Sequence, residues 1–161
     1  MNHKHNRFPY KKILVVCSVN TARSRLSEGF LRDFFSRNSM DVSVSSGGIA
    51  SNARDGMLIS LDAKLVMKEI GIPLSDDSLS VDLKKHPELM QEVDLILVLT
   101  EKHKEEIYDH FKFENKDIFT LREFAGKIGD IEDPSMKGID GFRKARDEII
   151  YCILEGMKKY E

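Results

Sequence analysis

Two periodicities alternate along this chain. Ile13-Leu14-Val15-Val16 is a continuous apolar run, and Leu26, Phe30, Leu31, Phe34 and Phe35 then recur at the three- and four-residue spacing of one helix face. Val42 to Ser46 alternates apolar with polar residues and predicts a second strand. Ala63, Val66, Met67 and Ile70 mark a second helix, with Ser60 placed to cap it and Gly71 to end it. Ser80 to Met90 shows weaker helical spacing, interrupted by Pro87. Val93 to Leu99 is the strongest strand signal, followed by Thr100 as cap of a helix from Glu101 to Phe111. Asp117 to Leu121 predicts a fourth strand, and Arg122 to Gly138 reads as loop. The last helix, from Ile139, turns Phe142, Ala145, Ile149, Ile153 and Met157 inward.

Strands alternating with helices predict an α/β fold: a single-domain, open, four-stranded parallel sheet flanked by helices, with right-handed crossovers. The unbroken apolar run of the first strand places it centrally, buried on both faces. Ligands in such sheets bind beyond the carboxyl ends of the strands. The segment after the first strand, the Ser45-Ser46-Gly47-Gly48 turn and the loop after the fourth strand all fall there.

Composition narrows the functional classes. The 161 residues suffice for one core without staples, and 41% hydrophobic with 32% charged residues is ordinary for a globular protein. A net charge of −2, from 25 basic and 27 acidic side chains, gives no reason to expect nucleic acid or a membrane as partner. Two cysteines, Cys17 and Cys152, fit a reducing compartment and a cytoplasmic location. Residues 1–11 are polar and basic and are expected to form a flexible tail, leaving 12–161 as the domain. His3-x-His5 lacks a carboxylate or cysteine beside it, so no metal site is expected. His103 and His110 stand among charged neighbours and are expected at the surface.

The chemistry concentrates in Cys17-Ser18-Val19-Asn20-Thr21-Ala22-Arg23-Ser24, between the first strand and the first helix. A tight loop there turns successive backbone N–H groups inward, the helix N-terminus adds positive potential, and Arg23 clamps two oxygens of a tetrahedral oxyanion such as phosphate or sulfate. The sulfur of Cys17 then lies beneath the central atom as a nucleophile, and the positive field favours thiolate. Ser24 is placed to donate to that sulfur. The alternative is a buried strand-end cysteine beside a capping segment. A phosphocysteine mechanism also needs an acid and a base, and one carboxyl can serve as both. Asp133, before Pro134 in the loop after the fourth strand, is the candidate; Asp130 and Glu132 compete, and Asp-Pro is also a common turn starter.

Cys-x5-Arg-Ser near the N-terminus together with Asp-Pro before the last helix resembles the low-molecular-weight protein tyrosine phosphatase family. The resemblance runs from about Lys12 to Met157 and takes in Ser46-Gly47-Gly48, Gly71-Ile72-Pro73-Leu74 and Asp94-Leu95-Ile96-Leu97. It implies no metal or cofactor, Cys17 as nucleophile, Arg23 as transition-state clamp and Asp133 as acid then base. It further implies that Ser24 stabilises the thiolate and that Asn20 braces the loop through Ser46. The substrate class is a phosphoprotein or small phosphorylated molecule of the phosphotyrosine type. Thr21, where tyrosine phosphatases commonly carry isoleucine, and Phe119-Thr120-Leu121-Arg122-Glu123-Phe124 resemble the bacterial protein arginine phosphatases. Arsenate reduction and non-catalytic phosphate binding are the remaining alternatives. The chain departs from the family pattern at Val19 (a glycine there), Ala22 (often cysteine), Arg25 (proline, so charge is added near the site), and at Ser135, Met136 and Asn52, where aromatic walls are usual.

Overall fold

A computed structural model describes residues 7–113 and 116–161. His3 and His5 lie outside them. Four parallel strands, β1 (Lys12–Cys17), β2 (Ser43–Gly48), β3 (Leu95–Val98) and β4 (Asp117–Thr120), are ordered β2-β1-β3-β4. The helices are α1 (Arg23–Arg37), α2 (Leu61–Glu69), α3 (Pro87–Gln91), α4 (Glu101–His110), α5 (Leu121–Phe124) and α6 (Gly138–Met157).

The alternation of side chains along β1 explains its unbroken apolar run. Ile13, Val15 and Cys17 join one core with α1, α2, α5 and α6, while Leu14 and Val16 join another with Leu83, Met90, Ile96 and Ile107. Each face of the sheet is therefore covered, as parallel pairing requires. All five residues expected on the inner face of α6 are buried, with Cys152 beside them. Thr100 accepts from the backbone N–H of His103, capping α4 as its sequence predicts.

Several expectations change. Phe8 is 6% exposed and packs against Tyr10, Phe35 and Tyr160, so the packed domain begins before Lys12. Gly47 and Gly48 form the buried end of β2 and not a flexible turn. A Cβ on Gly48 would sit 2.7 Å from the carbonyl oxygen of Ser18, so only glycine lets β2 approach the loop after β1. Pro87 opens α3 at its first turn, where a missing N–H costs nothing, and does not interrupt a longer helix. Ile70 is 37% exposed at the end of α2 and stays outside the core. The loop after β4 begins with α5, whose Thr120 and Glu123 make a reciprocal capping box.

α5 and α6 meet through Arg122, which reaches Glu148 and Cys152, and through a close approach of Phe124 to Gly156. A Cβ added to Gly156 on α6 would collide with the ring of Phe124, itself 2% exposed. Alanine gains about 1 kcal/mol over glycine in a helix, but forcing a methyl into a filled core costs about 1–3 kcal/mol. Gly156→Ala is therefore expected to lower the urea midpoint of unfolding, and a raised midpoint would contradict this packing.

Candidate active site

The segment from Cys17 to Ser24 closes as a ring because its carbonyls are held from outside. Cys17 O accepts from Ile49 N, Ser18 O from Ala50 N, Thr21 O from Ser60 N, and Ala22 O from Arg25 N and Leu26 N, all at 2.9–3.0 Å. Carbonyls bound outward leave the intervening N–H groups facing the centre, and among the described residues those of Ser18 to Ala22 have no protein acceptor. Inward amides at a helix N-terminus are the geometry in which anions are bound. Cys17, Ser18, Val19, Thr21, Ala22, Arg23, Asp133 and Ser135 line a small cavity over the ring.

Asn20 makes the ring possible. Its φ of 63° lies in the left-handed region, which asparagine tolerates better than most residues. Its side chain is 1% exposed and pinned on every side: Nδ2 donates to Ser24 Oγ (2.8 Å) and Ser46 Oγ (2.9 Å), and Oδ1 accepts from Val81 N (3.0 Å). Ser24 Oγ lies 2.9 Å from Cys17 Sγ. Since Ser24 Oγ already accepts from Asn20, its own hydrogen is available to the sulfur. Val19 has no positive φ, so a β-branched residue fits where the family pattern has glycine.

Arg23 is 6% exposed and donates to Ile131 O at 2.7 Å. Ile131 in turn donates to Leu99 O, which ties the loop after α5 to the end of β3. This tether carries Asp133 over the cavity, with Oδ2 3.9 Å from Arg23 Nη2 and Oδ1 accepting from Ser135 N at 3.0 Å. Burial acts to raise the Asp133 pKa, but the Ser135 hydrogen bonds and the Arg23 charge outweigh it and hold the carboxyl below the ordinary aspartate range. The two competitors are otherwise engaged. Asp130 accepts from Glu101 N at the start of α4, and Glu132 pairs with Lys137.

Three supporting residues escaped the sequence reading. Arg25 does not face the cavity: it lies behind the ring, 4% exposed, with Nη1 3.7 Å from Glu28 Oε1. Glu28, 7% exposed, also accepts from Ser46 Oγ (2.8 Å) and pairs with Arg32 (2.9 Å). Burial lowers the Arg25 pKa, and Glu28 opposes that shift. His103, expected at the surface, is 2% exposed, and its Nε2 lies 2.8 Å from Ser18 Oγ. Burial, then the charge of Arg23, pushes the imidazole down to about 3, so the ring is neutral at neutral pH. The spacing His103–Ile107 just after a capped helix start was the available signal, because both residues face inward. Arg25 and Glu28 carry no such signal, since apolar periodicity does not register a buried ion pair. His110 is exposed as expected, and Asn52 is exposed and outside the cavity lining.

Residues 12–154 match the model of a family described as low molecular weight phosphotyrosine protein phosphatase. The chain is 31% identical over 142 residues to the low molecular weight protein-tyrosine-phosphatase PtpB of Staphylococcus haemolyticus, covering 88% of this chain and 94% of that protein. It is 36% identical over 142 residues to a protein-arginine-phosphatase of Geobacillus stearothermophilus, covering 88% and 89% respectively. A solved cysteine-to-serine mutant of the YwlE arginine phosphatase, with a phosphorylated active-site serine, aligns with a TM-score of 0.83 at 30% identity, over 92% of this chain and 94% of that one. With the oxyanion ring, the central β1 and the four-stranded order all in place, this chain belongs to the low molecular weight phosphotyrosine protein phosphatase family.

Proposed function

We propose that this protein hydrolyses phosphomonoesters of the phosphotyrosine type, on phosphoproteins or small phosphorylated molecules, through a phosphocysteine at Cys17. The observation that carries the reading is the joint placement of Cys17, the inward amides, Arg23 and Asp133 around one cavity. The phosphate oxygens sit in the ring and on Arg23. The Cys17 thiolate attacks phosphorus in line, the bond to the leaving oxygen breaks, and Asp133 protonates that oxygen. Water then attacks the phosphocysteine, its proton passes to the Asp133 carboxylate, and the sulfur–phosphorus bond breaks to release phosphate and thiolate.

The lowered Asp133 pKa suits the second step, where a carboxylate must accept a proton. For the first step, the negative charge of a bound phosphate beside Asp133 favours its acid form. Asp133→Asn is expected to lower kcat roughly 10²–10⁴-fold with a phenyl ester. In kcat/KM, which reads phosphoenzyme formation and not the shared second step, the loss should be much smaller with a dinitrophenyl ester, whose leaving group needs no proton. The wild type should also gain more kcat/KM than the variant as pH falls from neutral, because only the wild type gains acid. Equal kcat/KM losses for both esters would place the acid elsewhere.

The position of Thr21 favours a second reading, protein arginine phosphatase. Thr21 lines the cavity, and so does Ser135, a small polar residue where an aromatic one is usual. A hydroxyl at that point can pair with a nitrogen-linked leaving group that an aliphatic residue would leave unpaired. Thr21→Ile is expected to raise the ratio of aryl-phosphate to phosphoarginine kcat/KM by ~10-fold, about one neutral hydrogen bond. An unchanged ratio would remove the support for the arginine reading. Arsenate reduction draws less support, since Cys152 is wholly buried, faces Arg122 and has its thiol pKa raised by burial.

A further inference from the structure

Ser18 and His103 form a pair that the oxyanion ring alone does not require. Ser18 lines the cavity directly after the nucleophile, and the only side-chain partner of its hydroxyl among the described residues is His103 Nε2 at 2.8 Å. The His103 ring is 2% exposed and its Nδ1 is buried with no hydrogen-bond partner. A neutral imidazole carries one proton, on one nitrogen or the other. With the proton on Nδ1, the ring would bury an N–H with nothing to accept it, an arrangement that is rare in proteins. With the proton on Nε2, the ring donates to Ser18 Oγ and leaves only a bare lone pair at Nδ1, the less costly orphan.

That choice fixes the direction of the serine hydroxyl. When His103 donates to Oγ, the hydroxyl hydrogen cannot return the bond and must point elsewhere, and Ser18 faces the cavity. We infer that His103 is a positioning residue that holds Ser18 as a side-chain hydrogen-bond donor to an oxygen of the bound tetrahedral oxyanion. The inference rests on the phosphatase reading, and adds a neutral donor to the amides and guanidinium that bind the same anion. His103 itself does not touch the substrate.

Two measurements test it. Long-range proton–nitrogen NMR on the wild-type protein should show His103 protonated at Nε2, and protonation at Nδ1 would overturn the inference whatever the kinetics. Competitive inhibition by orthovanadate should weaken roughly 10- to 100-fold in Ser18→Ala, the scale of one hydrogen bond to a charged acceptor. His103→Leu should weaken it comparably, and the double variant should bind vanadate no more weakly than either single one. His103→Gln, whose amide N–H can replace Nε2–H, should recover most of the loss, a rescue that a purely space-filling role would not give. No effect of Ser18→Ala, or losses that multiply in the double variant, would overturn the inference and leave the phosphatase reading intact. Absence of any vanadate inhibition of the wild type would remove both.

Discussion

The site depends on a single residue held in an uncommon backbone conformation. Asn20 sits at positive φ so that the chain after Cys17 can curl with its amides inward, and four hydrogen-bond partners hold it there. An asparagine in the left-handed region pays less than a β-branched residue would, but it still needs its surroundings to fix it. Those surroundings come from separate parts of the chain: Ser24 on α1, Ser46 on β2, and Val81 in the crossover before α3. The ring is therefore a tertiary object. Its shape is set by the packing of β1 against β2 and by Gly48, which alone permits that approach.

Behind the ring lies a buried cluster of charge. Arg25 and Glu28 are both nearly inaccessible, and Glu28 joins the serine that braces Asn20. Buried ion pairs are weak evidence for stability, because desolvation takes back much of the Coulomb gain. Removing one partner is costly all the same, since it strands the other charge. The cluster fixes geometry more than it adds stability, and it does so directly beneath the residue whose backbone matters most.

Much of the fold and much of the site were legible in the sequence, for physical reasons. The β1 run has no polar position, which only a strand buried on both faces tolerates, and Cys17 with Arg23 stands at its carboxyl end where a parallel sheet presents ligands. Asp133 was legible as a candidate, a carboxylate before proline in a loop on the ligand side, but only contacts distinguish it from its competitors: Asp130 accepts from the start of α4. His103 was missed because charged neighbours masked a one-turn inward face on a helix that is otherwise solvated. Phe8 was missed because two aromatics, Phe8 and Tyr10, are too few in a basic segment to show a period, and only the ring contacts with Phe35 and Tyr160 reveal that it is anchored.

The supports of the ring and the walls of its cavity belong to different populations of residues. Asn20, Ser24, Ser46, Arg25 and Glu28 are buried and mutually bonded, whereas Asp133 and Ser135, the lining residues outside the ring, are exposed. A change among the first group disturbs several partners at once, while a change at the second disturbs almost none. Selection can therefore redraw what enters this cavity by accumulating surface replacements, one at a time and each nearly neutral to folding, while the nucleophile's cradle is inherited intact. Divergence of substrate among relatives with one unaltered reaction centre is the history that such a division of labour permits.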